Sequence, residues 1–454
     1  MISLYTEAAT LAQWPTVERL RALQRIIPRA NVQAILRRTG HASRRYLRLP
    51  AWFVVWFVIA LGLFCRDSYR QVFKWLQPFR RKGTPGRSTF CEARQRLGVA
   101  PLRQLAQQVV ELQATPDTPG AFYQGRRLMA VDSFVVDVPD SAANERVFGR
   151  PGSGRGTAAF PQARVLALCE VGTHVLWRTA TKPCRRSEVT MAPTLLRYLQ
   201  PDMLLLWDRG FLSYKLVQQV VQRGTHLLAR VKKNMVFRPL RRLCDGSLLT
   251  KLYASPRHRD RDEGGVIVRL IEYTLQEPGR QGSGEKQRLL TTLLDAEHDP
   301  AVALIMLYHE RWEEELAIDE LKTHQRERPV LRSETPAGVV QEITGLLLAH
   351  YIVRVLMSEA ARRANLPPRR LSFTGTLKVL RCRLPECPKS RVGLRRWYED
   401  LLAEIAEELL PERRNRINPR VIKRKMSNWR KKRPEHRRYL QPTKKFRQSI
   451  VILN

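Results

Sequence analysis

Four side chains within one short stretch, YHERWEEELAIDELK, are of types that handle phosphates and metal ions: Tyr308, Arg311, Glu315 and Lys322. At the 100° per residue of an α-helix, with Glu315 at zero, Tyr308 falls at about +20°, Arg311 at about −40° and Lys322 at about −20°. All four then share one face. A carboxylate flanked by two cations and a phenol is poor core material, and it suits a surface that faces metal ions and a phosphate. The competing reading is a solvated helix laced with i,i+4 ion pairs, because Glu310, Glu313, Glu314, Asp319 and Glu320 crowd the same segment. Asp319, at about +40°, rivals Glu315 for the carboxylate role, and the wheel leaves the two open.

Two further carboxylates stand where strands should place them. Asp132 lies inside LMAVDSFVVDV (128–138), which is strand-like, and Asp208 directly follows MLLLW (203–207), a continuous apolar run such as a strand buried on both faces presents. Between them come two strands, 164–169 and 175–180, joined by VGTH, and a helix over 187–199. Strand, hairpin, helix and buried strand open a ribonuclease H-like layer, an α/β mixed sheet with helices against it. Pairing the strands of Asp132 and Asp208 side by side would bring both carboxylates to one end of the sheet, and open α/β sheets bind ligands beyond their strand carboxyl ends.

The elements that must position these groups divide the chain into five segments. Residues 1–115 read as a helical N-terminal domain, with Thr89 and Glu92 as a capping signal for a basic helix through Arg94 and Arg96. That pattern fits a helix-turn-helix on DNA and a plain helical hairpin equally. Residues 116–225 form the first part of the α/β core, 226–300 a β-rich insertion with polar turns, 301–385 the second part of the core, where helical periodicity resumes at Val302 and runs past Ala360, and 386–454 a basic C-terminal region. Between Arg413 and Arg447 stand 16 Lys/Arg and one acid, Glu435, with Trp429, Tyr439 and Phe446 interleaved, which reads as a solvated cationic arm for phosphate contact.

Composition sets the partner. A chain of 454 residues with 80 Lys+Arg against 42 Asp+Glu carries a formal net charge of +38, an excess that calls for a polyanion. Nucleic acid fits, since each phosphate neutralised releases a condensed counterion. The apolar run 49–65 is short for a bilayer and contains Pro50 and Gly62, so a buried helix accounts for it and no membrane is expected. Seven scattered cysteines and the absence of Lys or Arg before Arg19 point to free thiols, no signal peptide and the cytoplasm. Cys382 and Cys387 lack the second pair that a zinc site needs. RPGSGRG (150–156) lacks the Gly-Lys-Ser/Thr of a phosphate-binding loop, so no nucleotide cofactor is expected.

The spacing Tyr308, Arg311, Glu315, Lys322 resembles the signature of the insertion-element-four family of DDE transposases, as do AVDS around Asp132 and the D-R-G-F run Asp208, Arg209, Gly210, Phe211. NERVFGRPG (144–152), AFPQARVLALCEVGTH (159–174), SYKLVQQVVQRGTHLLARVKKN (213–234), LLLAHYIVRVLM (346–357) and NPRVIKRKMS (418–427) extend the likeness over nearly the whole chain. The resemblance implies that Asp132, Asp208 and Glu315 are the metal-binding triad, with Glu315 preferred to Asp319. Tyr308, Arg311, Lys322 and Arg209 would contact DNA phosphates. Two Mg²⁺ or Mn²⁺ ions, about 4 Å apart, would serve hydrolysis at the transposon ends, hairpin formation and strand transfer into target DNA. The partners implied are double-stranded DNA, as terminal inverted repeats and target, and a second copy of the chain in a homodimer. No Trp occurs within 226–300 to stack on a flipped base, which leaves Phe237, Tyr253, Tyr273, Trp177 or Trp312 for that role. The alternative function is a non-catalytic or domesticated DNA-binding protein, against which the retention of all three carboxylates speaks.

Overall fold

The computed structural model describes residues 18–43, 47–76, 83–153, 156–277, 283–411, 421–422, 430–431 and 444–453. Most of the basic arm, Trp429 and Tyr439 included, lies outside them, as do parts of the KGTPG and PGRQGSGEK turns and of the NPRVIKRKMS stretch.

A 3₁₀ helix, Glu18–Arg25, opens the described residues, and five α-helices follow: α1 (Arg29–Arg38), α2 (Ala51–Leu63), α3 (Tyr69–Leu76), α4 (Arg87–Leu97) and α5 (Ala100–Val109). Pro50 sets the start of α2 with its fixed φ, and every residue from Phe53 to Leu63 is buried, so the run 49–65 is a core helix with no polar face. The Thr89 cap is not used. Helix α4 begins three residues earlier, after Gly86, with no side-chain cap. Strand β1 (Arg126–Asp137) follows, then β2 (Gln162–Glu170) and β3 (Val175–Pro183), an antiparallel pair running from Ala163 opposite Pro183 to Glu170 opposite Val175 with a register shift between Leu168 and Cys169. The helix expected over 187–199 is two short pieces, Glu188–Met191 and Pro193–Leu196. Strand β4 (Met203–Trp207), helix α6 (Tyr214–Val221) and strand β5 (His226–Arg230) form a parallel β-α-β unit, with Leu204 opposite His226.

A meander of β6 (Pro239–Arg242), β7 (Leu248–Leu252), β8 (Val266–Leu275) and β9 (Gln287–Thr291) is antiparallel throughout. The second helical half contains α7 (Ala301–Tyr308), α8 (Trp312–Asp319), the 28-residue α9 (Pro336–Arg363), α10 (Phe373–Arg383) and α11 (Arg391–Glu407). A last strand, β10 (Ile450–Ile452), pairs with β8, Tyr273 opposite Ile452, and the Phe446 ring stands edge-on to His309 at 3.9 Å. The end of the basic arm is therefore structured: three residues with β propensity suffice because β8 offers them a ladder.

The chain separates into two compact units. The first contains 1–122, 131–191 and 313–410 and is built on α9, 22 of whose residues are buried. Against α9 lies α2, so closely that a Cβ on Gly345 would stand 2.5 Å from the Val58 carbonyl oxygen. Helix α9 is also the one described helix long and apolar enough to cross a membrane, with 89% of its apolar window buried inside the protein. Arg94 of α4, only 5% exposed, donates to Gln341 Oε1 (3.1 Å) and Gly338 O (2.8 Å) of α9. That arginine is committed to the interior, and it is Arg96 that faces solvent. The strand order in this unit is β3-β2-β1.

The second unit contains 123–130, 192–312 and 411–454. Strand β1 is shared, its first five residues counting here, and the order continues β1-β4-β5-β9-β8-β7-β6. Antiparallel pairing of β2 with β3 in the first unit and parallel pairing of β4 with β5 in the second agree with the expected ribonuclease H-like mixed sheet. Arg269, fully buried in the meander, is satisfied by Ser247 Oγ (2.7 Å), Asp299 O (2.7 Å) and the Asp245 carboxylate.

Candidate active site

In the second unit the D-R-G-F run and the Tyr308 signature meet. All five residues of β4 are buried, which drives the strand end into the core and leaves Asp208, the next residue, half-buried at its carboxyl end. Phe211, 1% exposed, stacks on the Trp207 ring and folds the chain back, its N–H donating to Asp208 O at 3.1 Å. Arg209 and Gly210 are left exposed at the tip of that turn. Tyr308, the last residue of α7, donates its hydroxyl to Trp207 O at 3.2 Å, across 101 positions of sequence. Burial pushes that phenol up to about 12, with Arg311 opposing the shift and Asp208 adding to it, so the Tyr308 hydroxyl stays protonated and donates its hydrogen bond at neutral pH. The Arg311 guanidinium lies over the Tyr308 ring at 5.9 Å and is 9% exposed.

The first unit contains the other two carboxylates. Asp132, half-buried in β1, accepts from the Ser133 N–H at 2.7 Å. Ser133 in turn donates to Glu188 Oε1 at 2.6 Å, and Arg164 Nη1 reaches both Ser133 Oγ (2.9 Å) and Glu188 Oε1 (3.0 Å), which clamps the strand at the position of Asp132. Glu315 is half-buried on α8. Asp319 is exposed, accepts from Thr323 Oγ1 at 2.6 Å and pairs with His324 at 3.4 Å. Lys322 is exposed. The triad is thus divided, Asp132 and Glu315 in the first unit and Asp208 in the second, and no group of three or more His, Cys, Asp or Glu able to hold a metal ion is formed among the described residues. All seven cysteines are free.

The helix of the signature is not continuous. A 3₁₀ turn, His309–Arg311, separates α7 from α8, and a π-helical turn, Glu320–Gln325, follows α8. Constant 100° steps therefore do not hold from Tyr308 to Lys322, since a 3₁₀ turn has three residues and a π turn bonds i to i+5. Periodicity in residue type cannot reveal such changes of winding. Of the aromatics considered for stacking, Tyr273 and Trp177 are buried and the Tyr253 hydroxyl donates to Asp262, while Phe237 is half-buried beside Arg288. The Trp312 side chain lies outside the described residues.

Sequence reading missed a buried ionic cluster around α8. Glu313 and Glu320 are met by His174, His350, Arg354 and Arg369, residues scattered over 195 positions and gathered only by the fold. Five acids within the eight residues 313–320 fitted a solvated face.

Residues 17–107 match the family described as insertion element 4 transposase N-terminal, and residues 123–352 match the transposase DDE domain. The transposase InsG for insertion sequence element IS4 of Escherichia coli (strain K12) is 29% identical over 402 residues, 86% of this chain and 89% of that one. Among solved structures, a piggyBac transposase synaptic complex with hairpin DNA aligns over 85% of each chain at 12% identity and a TM-score of 0.42. With a DDE domain matched over half its length and an insertion-element-four N-terminal region before it, this chain belongs to the insertion-element-four family of DDE transposases.

Proposed function

We propose that this transposase cleaves the ends of its own insertion sequence and joins them to target DNA with Asp132, Asp208 and Glu315 as ligands of two Mg²⁺ or Mn²⁺ ions. The donors are carboxylate oxygens alone, the hard set those ions prefer. Bound there, the ions would activate the attacking oxygen and stabilise the leaving 3′ oxygen of an in-line displacement at phosphorus. The observation that carries this reading is the Tyr308–Trp207 contact, which brings the signature helix and the D-R-G-F strand end together beside Asp208. The protein's own part is positional. The Tyr308 hydroxyl, tied to the Trp207 carbonyl, fixes the approach of α7, while exposed Arg209 and Lys322, with Arg311, hold backbone phosphates beside the cut. Residues 1–115 would supply recognition of the inverted repeats, 226–300 would form an insertion whose aromatics, Phe237 foremost, face an unpaired base, and two copies would pair the two ends in the bacterial cytoplasm, at the nucleoid.

The test is cleavage of a duplex carrying the inverted repeats that flank the gene, with Mg²⁺, with Mn²⁺ and with chelator. Nicking at the repeat boundary that chelator abolishes is expected. Sequence-specific binding without nicking in either metal would favour the non-catalytic DNA-binding protein.

Phosphate holding separates Lys322 from Arg311. Lys322→Ala should slow single-turnover cleavage by about a hundredfold, the cost of a small displacement at the reacting centre, and leave Tm unchanged because the side chain is exposed. Arg311→Ala should slow cleavage similarly and also lower stability by about 1 kcal/mol, since its guanidinium is buried on the Tyr308 ring. Normal rates in both variants would make the signature cations structural.

The basic arm makes its own prediction. Because β10 belongs to the sheet, the arm should be neutralised by Lys/Arg→Gln between Arg413 and Arg438, sparing 444–453. The slope of log K against log salt should then flatten by several units, about 0.9 for each phosphate that the arm no longer neutralises. An unchanged slope would place the arm off the DNA.

A further inference from the structure

Within the first unit the polypeptide carrying Glu315 is clamped on both sides of that residue. Two positions before it, Glu313, 6% exposed, faces His174 Nε2 at 2.8 Å and Arg369 Nη1 at 3.6 Å. Five positions after it, at the first residue of the π turn, the Glu320 carboxylate accepts from Arg354 Nε at 2.9 Å and from Arg354 Nη2, and stands 3.4 Å from His350 Nε2. Glu320 Oε1 stands 3.1 Å from His174 Nδ1, with Arg354 Nη2 alongside at 2.5 Å, so the two acids flanking Glu315 share one imidazole, Glu313 on Nε2 and Glu320 on Nδ1. His174, 1% exposed, sits at φ +59° in the turn between β2 and β3, and His350 and Arg354 belong to α9. At the far end of the π turn Gln325, fully buried, donates to Gly62 O at 3.0 Å and Leu346 O at 2.9 Å. Burial alone would raise the Glu320 carboxyl, yet Arg354 and His174 hold it well below the usual carboxylate range.

A buried ion pair is weak support for stability, because desolvation offsets its attraction. An irregular helical turn stabilised by charges on two other elements is better explained by geometry that must be held, and π turns concentrate at functional sites. We infer that Glu320 is a positioning residue: through Arg354 and His174 it fixes the winding of the chain after α8 and so the placement of Glu315 as a metal ligand. The inference rests on Glu315 being such a ligand. Partners that orient a ligand from behind typically matter 10–100-fold for metal affinity.

Glu320→Gln should raise the Mn²⁺ concentration for half-maximal binding, read by electron paramagnetic resonance, by about 10–100-fold. Cleavage should recover as Mn²⁺ is raised. His174→Asn, whose side chain suits the left-handed backbone there, should shift the midpoint in the same direction. Arg381→Met, which breaks the paired bonds to Glu327 at 3.0 and 3.1 Å in the same unit, should lower Tm and leave the midpoint alone. Wild-type midpoints in Glu320→Gln and His174→Asn, with Tm lowered, would overturn the positioning role and leave the cluster structural. The wild-type protein gives a reading that needs no variant: amides of 313–325 should exchange with solvent only on global unfolding, and rapid local exchange there would equally overturn it. If the wild type neither binds Mn²⁺ nor nicks the repeats, the metal-ligand reading of Glu315 has failed instead.

Discussion

Alanine at Asp132, Asp208 or Glu315 should lower the rate of strand cleavage by about a thousandfold or more while transposon-end binding stays within a few-fold of wild type. Charge stabilisation at a two-ion phosphoryl site is worth several kcal/mol, and each 1.36 kcal/mol is a factor of ten in rate. None of the three side chains adds positive charge for DNA to use, so affinity should survive their loss. Asp319→Ala is the contrasting variant, because Asp319 is exposed and already engaged by Thr323 and His324. An end-labelled repeat duplex, assayed for nicking and for mobility shift with the same preparations, gives both quantities. A dead Asp319→Ala beside an active Glu315→Ala would reassign the third ligand, and a triad variant that cut at normal rate would remove its residue from the site.

The second large effect is on stability and has a sign that decides the matter. In an exposed helix Gly→Ala stabilises by about 0.5–1 kcal/mol. At Gly345 the added Cβ would stand 2.5 Å from Val58 O, and at Gly62 it would stand 2.5 Å from Gly345 O, both backbone atoms with no rotamer to yield. The two helices would have to separate, and overpacking of this kind costs about 1–3 kcal/mol. Gly345→Ala and Gly62→Ala should each lower Tm by about 3–10 °C, while Gly83→Ala, with nothing within 4 Å, should leave it unchanged. Thermal unfolding followed by circular dichroism reads this directly. A raised Tm in Gly345→Ala would mean that α2 and α9 do not cross at these glycines.

The chain's chemistry was legible where it depends on residue type and local spacing. A five-residue apolar run must be a buried strand, so Asp208 had to stand at a strand end, and the spacing of Tyr308, Arg311, Glu315 and Lys322 was readable as a signature whatever the winding between them. The run 49–65 was readable as core because a helix apolar on every face has nowhere else to go in a protein with this charge. Local pattern misled where the partner lies far away in sequence. Arg94 stood on a basic helix that fitted DNA reading and a plain hairpin equally, and α9 supplies two acceptors and a buried slot for it. Ile450–Ile452 were legible only as part of a basic C-terminal region, yet β8 supplies them an open ladder. Glu313 and Glu320 looked like a solvent face, and their partners lie up to 146 residues away. Sequence by itself determined which side chains could do the reaction and which segments must be buried, because hydrophobicity and intrinsic geometry act over a few residues. Only the tertiary structure decided which charges are spent inside the protein and where the signature helix tightens and widens, because those depend on acceptors that distant elements bring within about 3 Å.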